Sequence, residues 1–213
     1  MGRWPVALLG LLWLASLPSA AAHETSKPPV IVALGDSLTA GLGVPVQEAY
    51  PAQLERRLRK AGYPHRVINA GVSGDTTAGG VQRVDLVLAL HPSIVIVEFG
   101  ANDGLRGLPL SQTRTNLAAM LDRLRSAKVQ VILAGMKLPP NYGPEYTEEF
   151  AAIFPDLART YGATLMPFFL DGVATKPQLN QADDLHPTAE GYSVIVDRIW
   201  PLLEPLLKRS KSE

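Results

Sequence analysis

The sequence predicts a three-layer α/β sandwich built on a mainly parallel, five-stranded sheet. Three observations carry this. From Pro28 onward, short β-branched runs alternate with amphipathic helical stretches, the pattern of a parallel sheet covered by helices. Those runs are continuously apolar, as suits strands buried on both faces. The chain has 213 residues, of which 46% are hydrophobic and 19% charged, enough for one domain with a sizeable core and unlike disordered, collagenous or coiled-coil chains.

Residues 1–22 precede the fold. Arg3, an apolar run from Trp4 to Leu17, and Pro18-Ser19-Ala20-Ala21-Ala22 ahead of the polar stretch His23 to Lys27 have the order of a cleaved secretory signal peptide with an Ala-x-Ala site. The run is about 14 residues, short of the roughly 20 that span a bilayer, and no later segment is both long and charge-free enough to do so. The expected mature chain is exported, periplasmic or extracellular, without a stable membrane anchor, and forms a single domain over 28–208.

Within that domain, the first strand is Val30 to Leu34. A helix follows in which Leu54, Leu58 and Ala61 form one apolar stripe, Glu55 and Arg59 pair at i,i+4 on the outer side, and Gly62 ends the element. Arg66 to Ala70 and Ile94 to Phe99 are the second and third strands. Leu117, Met120, Leu121 and Leu124 then repeat at i, i+3, i+4, i+7 behind Ser111 as N-cap. Val129 to Leu133 is the fourth strand and Thr164 to Met166 a weaker fifth. A last helix from Thr188 turns Tyr192, Ile195, Val196 and Ile199 inward, with Pro201 and Pro205 bending or breaking its end.

Composition removes several function classes. Twenty basic against twenty acidic residues leave no net charge, so the electrostatic footprint of a nucleic-acid binder is missing. The absence of cysteine excludes disulfides, thiolate-bound zinc and a Cys nucleophile. Gly41-Leu42-Gly43 continues to Val46 where a dinucleotide fingerprint wants glycine, and no phosphate loop ending in Gly-Lys-Ser/Thr occurs. His23, His65 and His91 read as surface or turn residues.

In sheets of this kind ligands sit beyond the carboxyl ends of the strands. After the first strand comes Gly35-Asp36-Ser37-Leu38-Thr39, a serine at a strand-to-helix turn that serves as a cap or as a nucleophile. After the second comes Asn69-Ala70-Gly71-Val72-Ser73-Gly74-Asp75, where Gly71 either makes a turn or lets a backbone N–H approach a ligand. The third ends in Gly100-Ala101-Asn102-Asp103, which offers turn chemistry or an amide donor. Before the last helix, Asp183 stands three residues ahead of His186; the two are too few for a closed zinc site. Asp36, Asp75 and Asp103 flank these segments as turn caps, ion-pair partners or tuning groups. Jointly, the four segments supply what acyl transfer from serine needs: a nucleophile, a base, an orienting carboxylate and convergent donors.

In this order they resemble the four blocks of the SGNH family of GDSL-type hydrolases, over nearly all of the mature chain. Further likenesses to its exported bacterial thioesterase, lysophospholipase and arylesterase branch are Gly100 to Leu108, Leu138 to Gly143 and Met166 to Phe169. The resemblance implies a flavodoxin-like SGNH fold with Ser37 as nucleophile, His186 as base and then acid, and Asp183, preferred over Asp184 by the motif spacing, holding the imidazole. It implies an oxyanion hole of the Ser37 N–H, the Gly71 N–H and the Asn102 side-chain amide, with no cofactor and no metal. The Gly-x-Ser-x-Gly elbow of larger α/β-hydrolases is missing.

Leu105, Leu108, Leu138 and Tyr142 lie in segments that should cover the site and are the expected substrate-binding residues, with loop packing as their other role. The partner implied is a small-molecule ester or thioester: aryl and alkyl esters, lysophospholipids and acyl thioesters. Carbohydrate O-deacetylation and a catalytically silent binding module are the alternatives.

Overall fold

A computed structural model describes residues 1–2 and 27–209; the expected signal peptide beyond Gly2, and His23, lie outside the described residues. Strands β1 (Val30–Gly35), β2 (Arg66–Gly71), β3 (Pro92–Glu98), β4 (Gln130–Ala134) and β5 (Thr164–Met166) form one sheet in the order β2-β1-β3-β4-β5. Every pairing is parallel. Ile31–Gly35 of β1 and Ile94–Glu98 of β3 are wholly buried, which is why they read as unbroken apolar runs. β2 is an edge strand and keeps Arg66 and Asn69 exposed.

The helices are α1 (Ser37–Ala40), α2 (Tyr50–Lys60), α3 (Thr77–Leu88), α4 (Ala101–Leu105), α5 (Leu110–Ser126), α6 (Pro144–Tyr161) and α7 (Ala189–Arg209). The crossover from β1 to β2 runs one way along the sheet and the later crossovers run the other way, so right-handed connections put α2 on one face and α3, α5 and α6 on the opposite one. α7 packs on α2, while α3, α5 and α6 pack side by side. The expected stripes are buried at Leu54 and Leu58, at Leu117, Met120, Leu121 and Leu124, and at Tyr192, Ile195, Val196 and Ile199, whereas Ala61 is exposed at the C-cap of α2.

Four details differ from expectation. Ser111 is not an N-cap: α5 begins at Leu110, which is buried, and Pro109 takes the cap position with its carbonyl accepting from Gln112 N at 2.9 Å. Pro201 and Pro205 do not end α7, which runs on to Arg209. Both face solvent, while Leu203, Leu206 and Leu207 continue the buried stripe, so apolar burial outweighs the backbone hydrogen bonds proline removes. Helices α3 and α6 carry no clear periodic signal in the sequence. In α3, Gly80 suppresses the helical signal, yet a Cβ there would stand 2.8 Å from the Phe99 ring and 2.9 Å from Met120 Sδ, so close packing requires glycine. Finally, His65 is buried and meets the Tyr63 ring edge-on at 6.3 Å, whereas His91 sits in the exposed turn before β3 with φ of 49°.

The register aligns Gly35 with Gly71 and with Glu98, Glu98 with Ala134, and Ala134 with Met166. All five strands therefore finish along one edge. The direction of the crossovers switches between β1 and β3, and this opens a crevice beyond their carboxyl ends.

Candidate active site

Ser37 stands in that crevice, at the first position of α1. Asp36 caps the helix, its Oδ1 accepting from Leu38 N at 3.0 Å, and the Ser37 N–H has no hydrogen-bond partner among the described residues. The loop before α7 brings the other groups. His186 Nε2 lies 2.9 Å from Ser37 Oγ, and His186 Nδ1 lies 2.6 Å from Asp183 Oδ2. Because a carboxylate only accepts, Nδ1 carries the proton and the Nε2 lone pair faces the serine hydroxyl. Asp183 Oδ1 accepts from Leu185 N and His186 N, both at 3.0 Å. Partial burial works to raise the Asp183 carboxyl, but these three donors outweigh it and hold the group down at about 2. Asp184, the neighbour set aside by motif spacing, takes a left-handed φ of 58° in the turn and lines the cavity mouth.

The loop is tied to the end of the sheet that carries Ser37. Gln181 Nε2 donates to Leu42 O at 2.7 Å and to Pro187 O at 2.9 Å. The main chain closes the same turn through Gln181 N to His186 O at 2.8 Å and Thr188 N to Leu179 O at 2.9 Å.

Asn102 lies on α4, entered through Gly100 at φ of 112°. Its Nδ2 donates to Asp36 Oδ2 at 3.0 Å, and its Oδ1 accepts from Arg106 Nη2 at 3.4 Å, which fixes the amide's orientation. The same Arg106 nitrogen donates to Gly74 O at 2.9 Å, so the loop after β2 is held beside Asn102.

Gly71 is a correction. Its N–H donates to Asn69 Oδ1 at 2.9 Å, and a Cβ there would stand 2.2 Å from Ala40 N. Gly71 thus permits close packing against α1, and its N–H is already engaged. Three residues later, Gly74 has φ of 80° and an N–H without a partner among the described residues. No feature of the sequence alone separates these two glycines; the dihedral and the hydrogen bond do.

A cavity of about 410 Å³ opens from Ser37 and His186 and is walled by Leu105, Met136, Leu138, Phe168 and Leu170, with Leu185 at the triad end. Two expected substrate-binding residues, Leu105 and Leu138, line it; Leu108 and Tyr142 do not. Tyr142 Oη instead donates to Leu105 O at 2.9 Å, and Tyr146 Oη donates to Leu108 O at 3.0 Å, so these tyrosines brace the wall from behind. Met136, Phe168 and Leu170 come from segments after β4 and β5, where the strand-end rule alone pointed.

The flanking aspartates have separate roles. Asp75 pairs with Arg83 at 2.6 Å, and Asp103 accepts from Thr77 N and Oγ1 at 2.9 and 2.5 Å. Asp36 is fully buried; loss of hydration pushes its carboxyl up to about 6 against the pull of Leu38 N and Asn102. Behind it the carboxyl of Glu98, also fully buried, is raised by lost hydration and by the Asp36 charge.

The model of the GDSL-like lipase/acylhydrolase family matches residues 33–194. Esterase TesA of Pseudomonas aeruginosa is 41% identical over 201 residues, covering 94% of this chain and 98% of that protein. Thioesterase 1/protease 1/lysophospholipase L1 of Escherichia coli K12 is 38% identical, covering 96% and 94% of the respective chains. The crystal structure of AlinE4, an SGNH-hydrolase family esterase, superposes with a TM-score of 0.71 at 48% identity, covering 84% of this chain and 96% of that one. With the fold, the four sequence blocks and full-length relatives in agreement, the chain belongs to the GDSL-like lipase/acylhydrolase family.

Proposed function

We propose that the chain is an exported serine hydrolase of carboxylic esters and thioesters that works through an acyl-enzyme on Ser37. One observation carries the reading: the hydrogen-bonded relay from Asp183 through His186 to Ser37 Oγ ends at the mouth of an apolar cavity. His186 takes the hydroxyl proton as Oγ attacks the carbonyl carbon, and Asp183 keeps the imidazole in the tautomer that can accept it. The oxygen that becomes negative is held by the Ser37 N–H, the Asn102 Nδ2 and, in the place expected of Gly71, the Gly74 N–H. Protonated His186 then delivers its proton to the departing alcohol or thiol. Water repeats the sequence on the acyl-enzyme and frees Ser37.

The apolar wall favours an acyl chain or aromatic ring over a sugar. This supports aryl and alkyl esters, lysophospholipids and acyl thioesters as substrates, in keeping with the activities in the relatives' names. Among the described residues no helix is long and apolar enough to cross a membrane. The export reading rests on the pattern of residues 1–22.

The test is hydrolysis of a chain-length series of aryl acyl esters by the protein and by its Ser37→Ala variant. Turnover that extends to medium or long chains and vanishes in the variant is the expected result. Activity confined to acetyl esters replaces it with O-deacetylation. Absence of Ser37-dependent turnover, with no labelling of Ser37 by an active-site phosphonate, replaces it with a binding module.

A further inference from the structure

Beneath the nucleophile lies a buried acid that the acyl-transfer roles leave unused. Glu98 closes β3 at the centre of the sheet, in register with Gly35. Its Oε2 accepts from Thr39 Oγ1 at 2.7 Å and from Asp36 N at 3.4 Å, while Oε1 is enclosed without a hydrogen-bond partner among the described residues. Gly35 makes room for it: a Cβ there would stand 2.6 Å from Oε2 and 2.1 Å from Thr39 Oγ1.

The groups facing this acid come from every side. Tyr50 of α2 reaches Thr39 Oγ1 at 3.4 Å, and Tyr192 of α7 has a buried hydroxyl without a partner among the described residues. Asp36, at the head of α1 and also fully buried, gives its backbone N–H to Glu98 Oε2 at 3.4 Å, which sets the two acids side by side. Beyond Asp36 stand Asn102 of α4 and, from the loop before α7, His186 and Asp183. Among the described residues no Lys or Arg pairs with either buried carboxyl; Arg83 reaches Gly35 O but is held by Asp75 and Ala70 O.

Two adjoining carboxyls in a dry site without a cation do not both ionise. The one with better donors keeps the charge. Asp36 has two such donors at 3.0 Å, Leu38 N and Asn102 Nδ2. Glu98 has one hydroxyl, one long contact and an oxygen with nothing. We infer that Glu98 is a protonated positioning residue, holding the single proton of a buried Asp36–Glu98 pair so that Asp36 stays anionic and aims the Asn102 amide at the reacting oxygen. The inference rests on the Ser37 ester-hydrolase reading for the role of Asn102, and on geometry alone for the location of the proton.

The variants Glu98→Gln, Asp36→Asn, Asn102→Ala and the Asp36→Asn/Asn102→Ala pair test it, together with infrared spectra at pH 7. Glu98→Gln, a neutral isostere, is expected to keep kcat within about threefold and to remove the carbonyl band of a protonated carboxylic acid. Asp36→Asn is expected to lower kcat about 10²-fold at unchanged KM, and the double variant to lose no more than Asn102→Ala alone, because Asp36 acts through that amide. Should Glu98→Gln not fold, wild type decides: ¹³C labelling of glutamate carboxyls must shift the band. No such band in wild type, a loss in folded Glu98→Gln as deep as in Asp36→Asn, or additive losses in the double variant would each overturn the proposal. The spectrum needs no turnover, whereas failure of the hydrolase reading shows as Ser37→Ala activity, so the two failures are distinguishable.

Discussion

Two aspartates flank the same Ser37–His186 pair, and their surroundings drive them in opposite directions. Asp183 has a side chain 45% exposed, and three hydrogen-bond donors hold its carboxyl down at about 2. Asp36 is fully buried beside a second acid and is pushed up to about 6. On the proposed reading, geometry and not side-chain type separates their work: the wet carboxylate, bonded to His186, orients the base, and the dry one, bonded to Asn102, serves the oxyanion side. The loop region is held by turn hydrogen bonds at the surface, while the nucleophile region is packed into the central strands.

The first way to break the comparison is to remove a group both regions serve. Ser37→Ala should cost on the order of 10⁴–10⁶ in turnover of an aryl ester; a smaller loss would separate the two aspartates from any common reaction. Next is Asp183→Asn, expected to lower kcat by about 10²–10³. This is less than the ~10⁴ seen when a buried orienting carboxylate is neutralised, since water reaches this one. With Asp183 ionised down to about 2, the acid limb of wild-type activity should stay above that pH, as read from a kcat profile.

Stability against pH sharpens the contrast. A buried carboxyl raised above its ordinary value stabilises the fold most below that ordinary value, and this contribution is lost as pH rises towards about 6. Between pH 4 and pH 8, thermal unfolding of Asp36→Asn should therefore shift in the variant's favour relative to wild type, by on the order of 1–3 kcal/mol. For Asp183 the sign reverses: its contribution is present above the ordinary carboxylate value and lost as pH falls towards about 2. The smallest expected effect is at the tether between the regions. Gln181→Ala should lower kcat about three- to tenfold with KM little changed, through loss of the hydrogen bonds to Leu42 O and Pro187 O; steady-state kinetics on one ester would read this.

The same division explains what could be read without coordinates. Ile31 to Leu34 and Ile94 to Val97 announce themselves because both sheet faces are covered. Helix α3 does not, since Gly80 is chosen for contact with Phe99 and Met120 and not for helix propensity. In α6, Pro144 at the start and Pro155 on the exposed side disguise an 18-residue helix. Ser37, Asp183 and His186 were legible jointly, because segments that are ambiguous alone fall in one order along the chain and resemble the blocks of one family. Gly71 and Gly74 differ in backbone conformation and in whether the N–H is already bonded, and Leu105 ends α4 facing the cavity while Leu108 lies in the segment after it. Glu98 did carry a signal, an acid inside a run of buried β-branched residues, and its meaning waited on Gly35 and Asp36 beside it.

The tether through Gln181 also bears on how the molecule is made. A ribosome delivers Ser37 early and His186 about 150 residues later. The sheet strands can all have emerged before the base exists. On the proposed reading, nascent and partly translocated chains are chemically silent towards the lipids around them. On the same reading, ester cleavage needs α7 packed against α2 with the loop before it over the serine, so activity reports a chain synthesised and folded through α7.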